Sequence, residues 1–185
     1  ENAEKRIKAH LIKSIEEGLA DKDLNDYLQR LTITDDYSKL ADCKIAVECT
    51  LENIDIKKSV FEKIEAAVSP TAIIGSNTSA IPISILQQHI RRPERFFGLH
   101  WTEPSHTTRF LEIICGDLSD KETAKYLYGL AHYWDKEPTL VLKDIRGFIT
   151  NRLMYAMYRE AFDLVEGGYA TVEDVDRACR NNTGY

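Results

Sequence analysis

Two short apolar runs constrain the fold of this chain more than anything else in it. Lys44-Ile45-Ala46-Val47-Glu48-Cys49 and Ala72-Ile73-Ile74-Gly75 are too short for helices and too continuously apolar for strands with one wet face. Strands buried on both faces read this way, and they belong to parallel sheets covered by helices. Between them Ile54 to Val68 has helical spacing, with Ile56, Val60, Phe61, Ile64 and Ala67 facing inward and Pro70 as the terminator. Strand, helix and strand in that order predict an α/β fold.

The stretch Arg95 to Gly116 reads as apolar strand, polar turn, apolar strand. His100 closes the first strand and Glu112 lies inside the second, too far apart for one helix face. A reversal around Pro104 and Ser105 brings the strand ends side by side, where a carboxylate can fix one imidazole nitrogen and leave the other to accept a proton. A half-buried turn histidine and a surface glutamate are the plainer reading of these residues by themselves. His100, Glu103 and His106 also give an H-x-x-E-x-x-H spacing, but Pro104 breaks any shared helix face, and no metal is expected.

The remaining chain follows the same alternation. Ala3 to Leu19 is an amphipathic helix, Leu31-Thr32-Ile33-Thr34 a short strand, and Ser76-Asn77-Thr78-Ser79 a turn into a helix with Pro82 in its first turn. That turn serves as a helix cap or offers N–H groups and a hydroxyl to a ligand. A helix from Lys121 to Trp134 and a strand from Thr139 to Leu142 come next. Phe148 to Glu166 is the longest helix, with an apolar stripe of Leu153, Met157, Phe162 and Val165 wide enough to pack on more than one neighbour. Gly167-Gly168 ends it, and Thr171 restarts a helix.

Composition excludes several classes. A net charge of −6 with no basic cluster beside aromatics argues against nucleic acid. No apolar run approaches a membrane span. Cys43, Cys49, Cys115 and Cys179 form no CxxC pair, which fits free thiols in the cytoplasm, and no signal or transit peptide is recognisable. The nine glycines include no G-x-G-x-x-G and no G-x-x-x-x-G-K, so no phosphate cradle is recognisable.

Five motifs in one order resemble the 3-hydroxyacyl-CoA dehydrogenase superfamily. They are Val47-Glu48 with Glu52-Asn53, Ser76 to Ser79, Arg92-Pro93-Glu94-Arg95-Phe96 running into Gly98-Leu99-His100, Leu111-Glu112, and Gly147-Phe148 with Asn151-Arg152-Leu153. The long helix also looks like the lambda-crystallin and gulonate dehydrogenase branch. The resemblance implies an incomplete Rossmann-like, mostly parallel sheet with flanking helices over residues 1–145, and over residues 146–185 the first helices of an α-helical domain for substrate and dimerisation. It implies NAD as cofactor and oxidation of an L-3-hydroxyacyl-CoA to the 3-oxoacyl-CoA in fatty acid metabolism, by a homodimer. His100 matches the family's base, Glu112 its orienting carboxylate, and Ser79 and Asn151 the groups that hold the substrate oxygen. Glu48 and Asn53 match positions near the nicotinamide, with Asn77 and Ser79 completing the cofactor contacts.

The chain departs from the family in three respects. Glu103 stands where the family has an asparagine, which is expected to disfavour an anionic substrate. The first βαβ segment with its glycine loop is missing, and Glu1 lies near where the ribose-binding acid belongs. The helical domain stops after its first long helix. These departures lead to the expectation of a piece of a longer enzyme that binds NAD weakly by itself. A dehydrogenase of free 3-hydroxy acids and a non-catalytic structural relative are the alternatives.

Overall fold

A computed structural model describes residues 2–183 of the chain, and Glu1 lies outside the described residues. Helices α1 (Asn2–Glu16) and α2 (Leu24–Leu28) lead into a five-stranded sheet whose strands are β1 (Ile45–Glu48), β2 (Ile73–Ser76), β3 (Phe96–Trp101), β4 (Phe110–Cys115) and β5 (Glu137–Val141). They lie side by side in chain order. All neighbours are parallel except β3 and β4, which form an antiparallel pair. Helix α3 (Ile54–Ala67) joins β1 to β2, α4 (Ile83–Gln87) leads toward β3, and α5 (Lys121–Tyr133) joins β4 to β5. Then come α6 (Thr150–Glu166) and α7 (Val172–Ala178).

The fold class expected from the two apolar runs is the one observed. β2 is buried at all four positions and β3 at five of six, as strands covered on both faces must be. On one face Phe61, Ile64, Ile74, Leu86, Phe96 and Phe148 pack together, and on the other Phe97, Leu99, Leu111, Ile113, Leu127 and Ala131 do. Alternation along each strand feeds both layers: Phe96 points one way and Phe97 the other.

Three local expectations change. Leu31 to Thr34 forms no strand. Leu31 and Ile33 stay exposed, and β1 pairs only with β2, so no strand lies along its outer edge among the described residues. A four-residue strand without a partner leaves its backbone groups to water and has nothing to hold it extended. The inward face of α3 is also rotated: Lys57, Phe61 and Ile64 are buried, whereas Ile56 is exposed. The stripe of α6 was expected against several neighbours, yet no described residue of that helix is buried.

Gly98 shows how tightly the layers close around β3. A Cβ there would lie 2.8 Å from Ile114 Cδ1 and 2.9 Å from Ile83 Cδ1. Gly98→Ala should therefore destabilise the chain by about 1–3 kcal/mol through overpacking. Urea unfolding would show a lower midpoint at unchanged slope.

Candidate active site at the start of helix α6

The antiparallel pairing of β3 and β4 sets His100 directly opposite Glu112. Paired residues in such a ladder project from the same face, so imidazole and carboxylate meet without a special loop. His100 Nδ1 and Glu112 Oε2 are 2.8 Å apart. Phe110 stands edge-on to the imidazole and Phe148 tilts against it, leaving His100 7% exposed. Nδ1 carries the bond to Glu112, and Nε2 has no protein partner among the described residues. An oriented base takes this arrangement, with one ring nitrogen held and the other open.

The second oxygen of Glu112 is also occupied. Oε1 accepts from the backbone N–H groups of Ile149 (3.1 Å) and Thr150 (3.0 Å), at the entry to α6. Burial pushes the Glu112 carboxyl up, but the His100 bond and the two backbone donors outweigh it and hold the group below its ordinary value. The chain enters α6 through a sharp reversal in which Gly147 (φ 78°) and Phe148 (φ 51°) are consecutively left-handed. A phenylalanine in that region is costly, and it is held by complete burial against the His100 ring.

Ser79 reaches the same place from the other side. The turn after β2 is anchored by Glu52, whose Oε1 accepts from Thr78 Oγ1 and from the N–H groups of Ser79 and Ala80 (both 3.1 Å). Asn151 Nδ2 donates to the Ser79 carbonyl at 2.7 Å. The backbone of Ser79 is thus clamped from α6 and from the β1–α3 turn, and its hydroxyl has no partner among the described residues. Asn77 Oδ1 accepts from the Trp101 N–H at 2.9 Å, tying this turn to the residue after His100. His100, Glu112, Ser79 and Asn151 therefore converge on the first turn of α6.

Glu48 and Asn53 are engaged differently from the expectation of free cofactor contacts. Glu48, at the carboxyl end of β1, is 2% exposed, and its oxygens accept from Ser76 Oγ, from the Thr50 N–H and hydroxyl, and from Lys57 Nζ at 3.0 Å. Burial raises this carboxyl, while Ser76, Thr50 and Lys57 together take it below its ordinary value. Asn53 caps α3 by accepting from the Ile56 N–H. Lys57 and the anchoring role of Glu52 were missed from the sequence. A lysine at helical spacing with Phe61 and Ile64 on an apolar face was the available signal, because an inward lysine needs a buried carboxylate.

Of the expected cofactor contacts, Ser79 keeps a hydroxyl without a partner among the described residues, with the donor and acceptor chemistry that the reacting end of a nicotinamide takes. The turns from β1 to α3 and from β2 to α4 contain no glycine, so neither offers the close backbone approach that a pyrophosphate takes. No cluster of metal-ligating side chains occurs among the described residues, and no described helix is long and apolar enough to cross a membrane. Glu103 is exposed in the turn beyond β3.

Known proteins are similar to the chain over most of its length. Residues 1–145 match the NAD-binding domain of 3-hydroxyacyl-CoA dehydrogenase and residues 147–185 its C-terminal domain. A 5-formyl-3-hydroxy-2-methylpyridine 4-carboxylate 5-dehydrogenase of Mesorhizobium japonicum is 39% identical over 141 residues, 76% of this chain and 46% of that protein. A probable 3-hydroxybutyryl-CoA dehydrogenase of Deinococcus radiodurans is 36% identical over 149 residues, 80% of this chain and 53% of that protein. The chain thus spans about half the length of these relatives. The crystal structure of (S)-3-hydroxybutyryl-CoA dehydrogenase from Ralstonia eutropha superposes with a TM-score of 0.89 at 27% identity, covering 98% of this chain and 64% of that one. With a domain model of the family matched over residues 1–145 and another over residues 147–185, the chain belongs to the 3-hydroxyacyl-CoA dehydrogenase family of NAD-dependent oxidoreductases.

Proposed function

We propose that the chain carries the proton-transfer site of an enzyme that oxidises the 3-hydroxyl of an L-3-hydroxyacyl-CoA to the 3-oxo group. The observation that carries this is the 2.8 Å contact between His100 Nδ1 and Glu112, with Nε2 left open. His100 Nε2 takes the hydroxyl proton as the carbinol becomes a carbonyl, and the Glu112 carboxylate stabilises the imidazolium that results. The Ser79 hydroxyl and the Asn151 amide hold the substrate oxygen between base and cofactor. NAD, when bound, supplies the hydride acceptor. Pairing of two copies through the exposed apolar side of α6, where Leu153 and Phe162 are 67% and 66% exposed, belongs to the same reading.

A second reading, a compact free hydroxy acid as substrate, has the Mesorhizobium relative in its favour, since that protein is named for a carboxylate-bearing pyridine. The two separate in one assay of the full-length protein. NADH oxidation with acetoacetyl-CoA should exceed that with acetoacetate at equal concentration. The reverse ratio would transfer the site to free acids, and no turnover of either would sink both.

A further inference from the structure

A cavity of about 520 Å³ opens beside Ser79 and Asn151. Its wall carries Arg146 from the loop before α6, Arg152 and Arg159 from α6 itself, and Tyr155 between them. Positions 152, 155 and 159 are spaced three and four apart, which puts them on one side of the helix. No acidic residue lines the cavity, and Glu103 is not part of its wall. None of the three guanidinium groups has an ion pair or a hydrogen-bond partner among the described residues.

Arg109 pairs with Glu137 and Arg177 with Asp174, whereas no carboxylate among the described residues meets the three arginines at this cavity. Three like charges around one hollow repel each other unless a counter-charge enters. The planar fork of arginine fits the two oxygens of a carboxylate or phosphate, and the volume is that of a small-molecule site.

We propose that this cavity is the subsite for a permanently anionic group of the substrate, a carboxylate or a phosphate, held by Arg146, Arg152 and Arg159 next to the reacting oxygen on Ser79 and Asn151. The inference rests on the dehydrogenase reading, because that reading assigns the reacting oxygen to Ser79 and Asn151. It also offsets the effect expected of Glu103: the anion is drawn to the α6 side, where that carboxylate is absent.

Calorimetric titration of the folded chain tests it without turnover. The probes are acetoacetate, adenosine 3′,5′-bisphosphate as the phosphate part of CoA, and the neutral N-acetylcysteamine thioester of acetoacetate. The double variant Arg152→Gln/Arg159→Gln should weaken one anion by about tenfold, the double Lys variant should recover part of that loss, and the neutral thioester should be unaffected. Sensitivity of acetoacetate assigns the subsite to the carboxylate of a free acid; sensitivity of the bisphosphate assigns it to CoA. Arg30→Gln, remote from the site, should change nothing. Failure of both anions to bind, or equal weakening of anions and neutral thioester by the Gln pair, would overturn the proposal. His100→Gln should leave anion binding intact, so loss of the dehydrogenase reading shows up separately in turnover.

Discussion

On the proposed function, His100→Gln should lower kcat by about 10²–10⁴, the usual contribution of a positioned general base. Glutamine can still donate to the carboxylate that His100 meets at 2.8 Å, so the turn into α6 keeps its anchor and the fold should survive. KM for the substrate should change little, because the Ser79 hydroxyl and the Asn151 amide, proposed to hold the oxygen, are untouched. Turnover within threefold of the unaltered protein would remove His100 from the chemistry.

Lys57→Met should cost the fold about 3–5 kcal/mol, because it strands the Glu48 carboxylate in the interior without its cation. Lys57 is 1% exposed and Glu48 2%, so solvent cannot replace the missing charge. Against a typical stability of about 5–15 kcal/mol, that is a large fraction. The effect should depend on pH in a defined sense. In the unaltered chain Glu48 is depressed below its ordinary value, so its stabilisation is present above the unfolded value of about 4.3 and is lost as pH falls through the folded one. Without Lys57 the depression is smaller, with Ser76 and Thr50 still lowering the group, and the penalty should be largest near pH 7 and shrink as the carboxyl protonates. Urea unfolding at pH 7 and pH 4 measures this. Glu48→Leu with Lys57→Met should recover most of the loss, since an apolar pair has no charge to strand. Equal penalties at both pH values would mean that Lys57 acts by packing alone.

What the sequence revealed and what it hid divide along a physical line. Period and spacing carry β1, β2, α3 and the β3–β4 reversal, because burial on both faces forces continuous apolar strands and a short polar turn forces antiparallel pairing. The register of His100 on Glu112 follows from those two strands. The strand at Leu31 failed because a strand exists only with a neighbour, which local pattern does not contain. Lys57 was passed over because a lysine is ordinarily solvated, and its carboxylate lies nine residues back on a different element. The Glu52 anchor spans 26 residues or more to Thr78 and beyond, a separation at which no spacing rule operates. The cavity arginines depend on how the loop before α6 turns, and that turn rests on a left-handed phenylalanine no propensity would choose.

Glu112 divides its two oxygens between the imidazole and the backbone at the head of α6. Any displacement of α6 strips two donors from a carboxylate that is fully buried, so the pairing of β3 with β4 and the entry into α6 hold their places together.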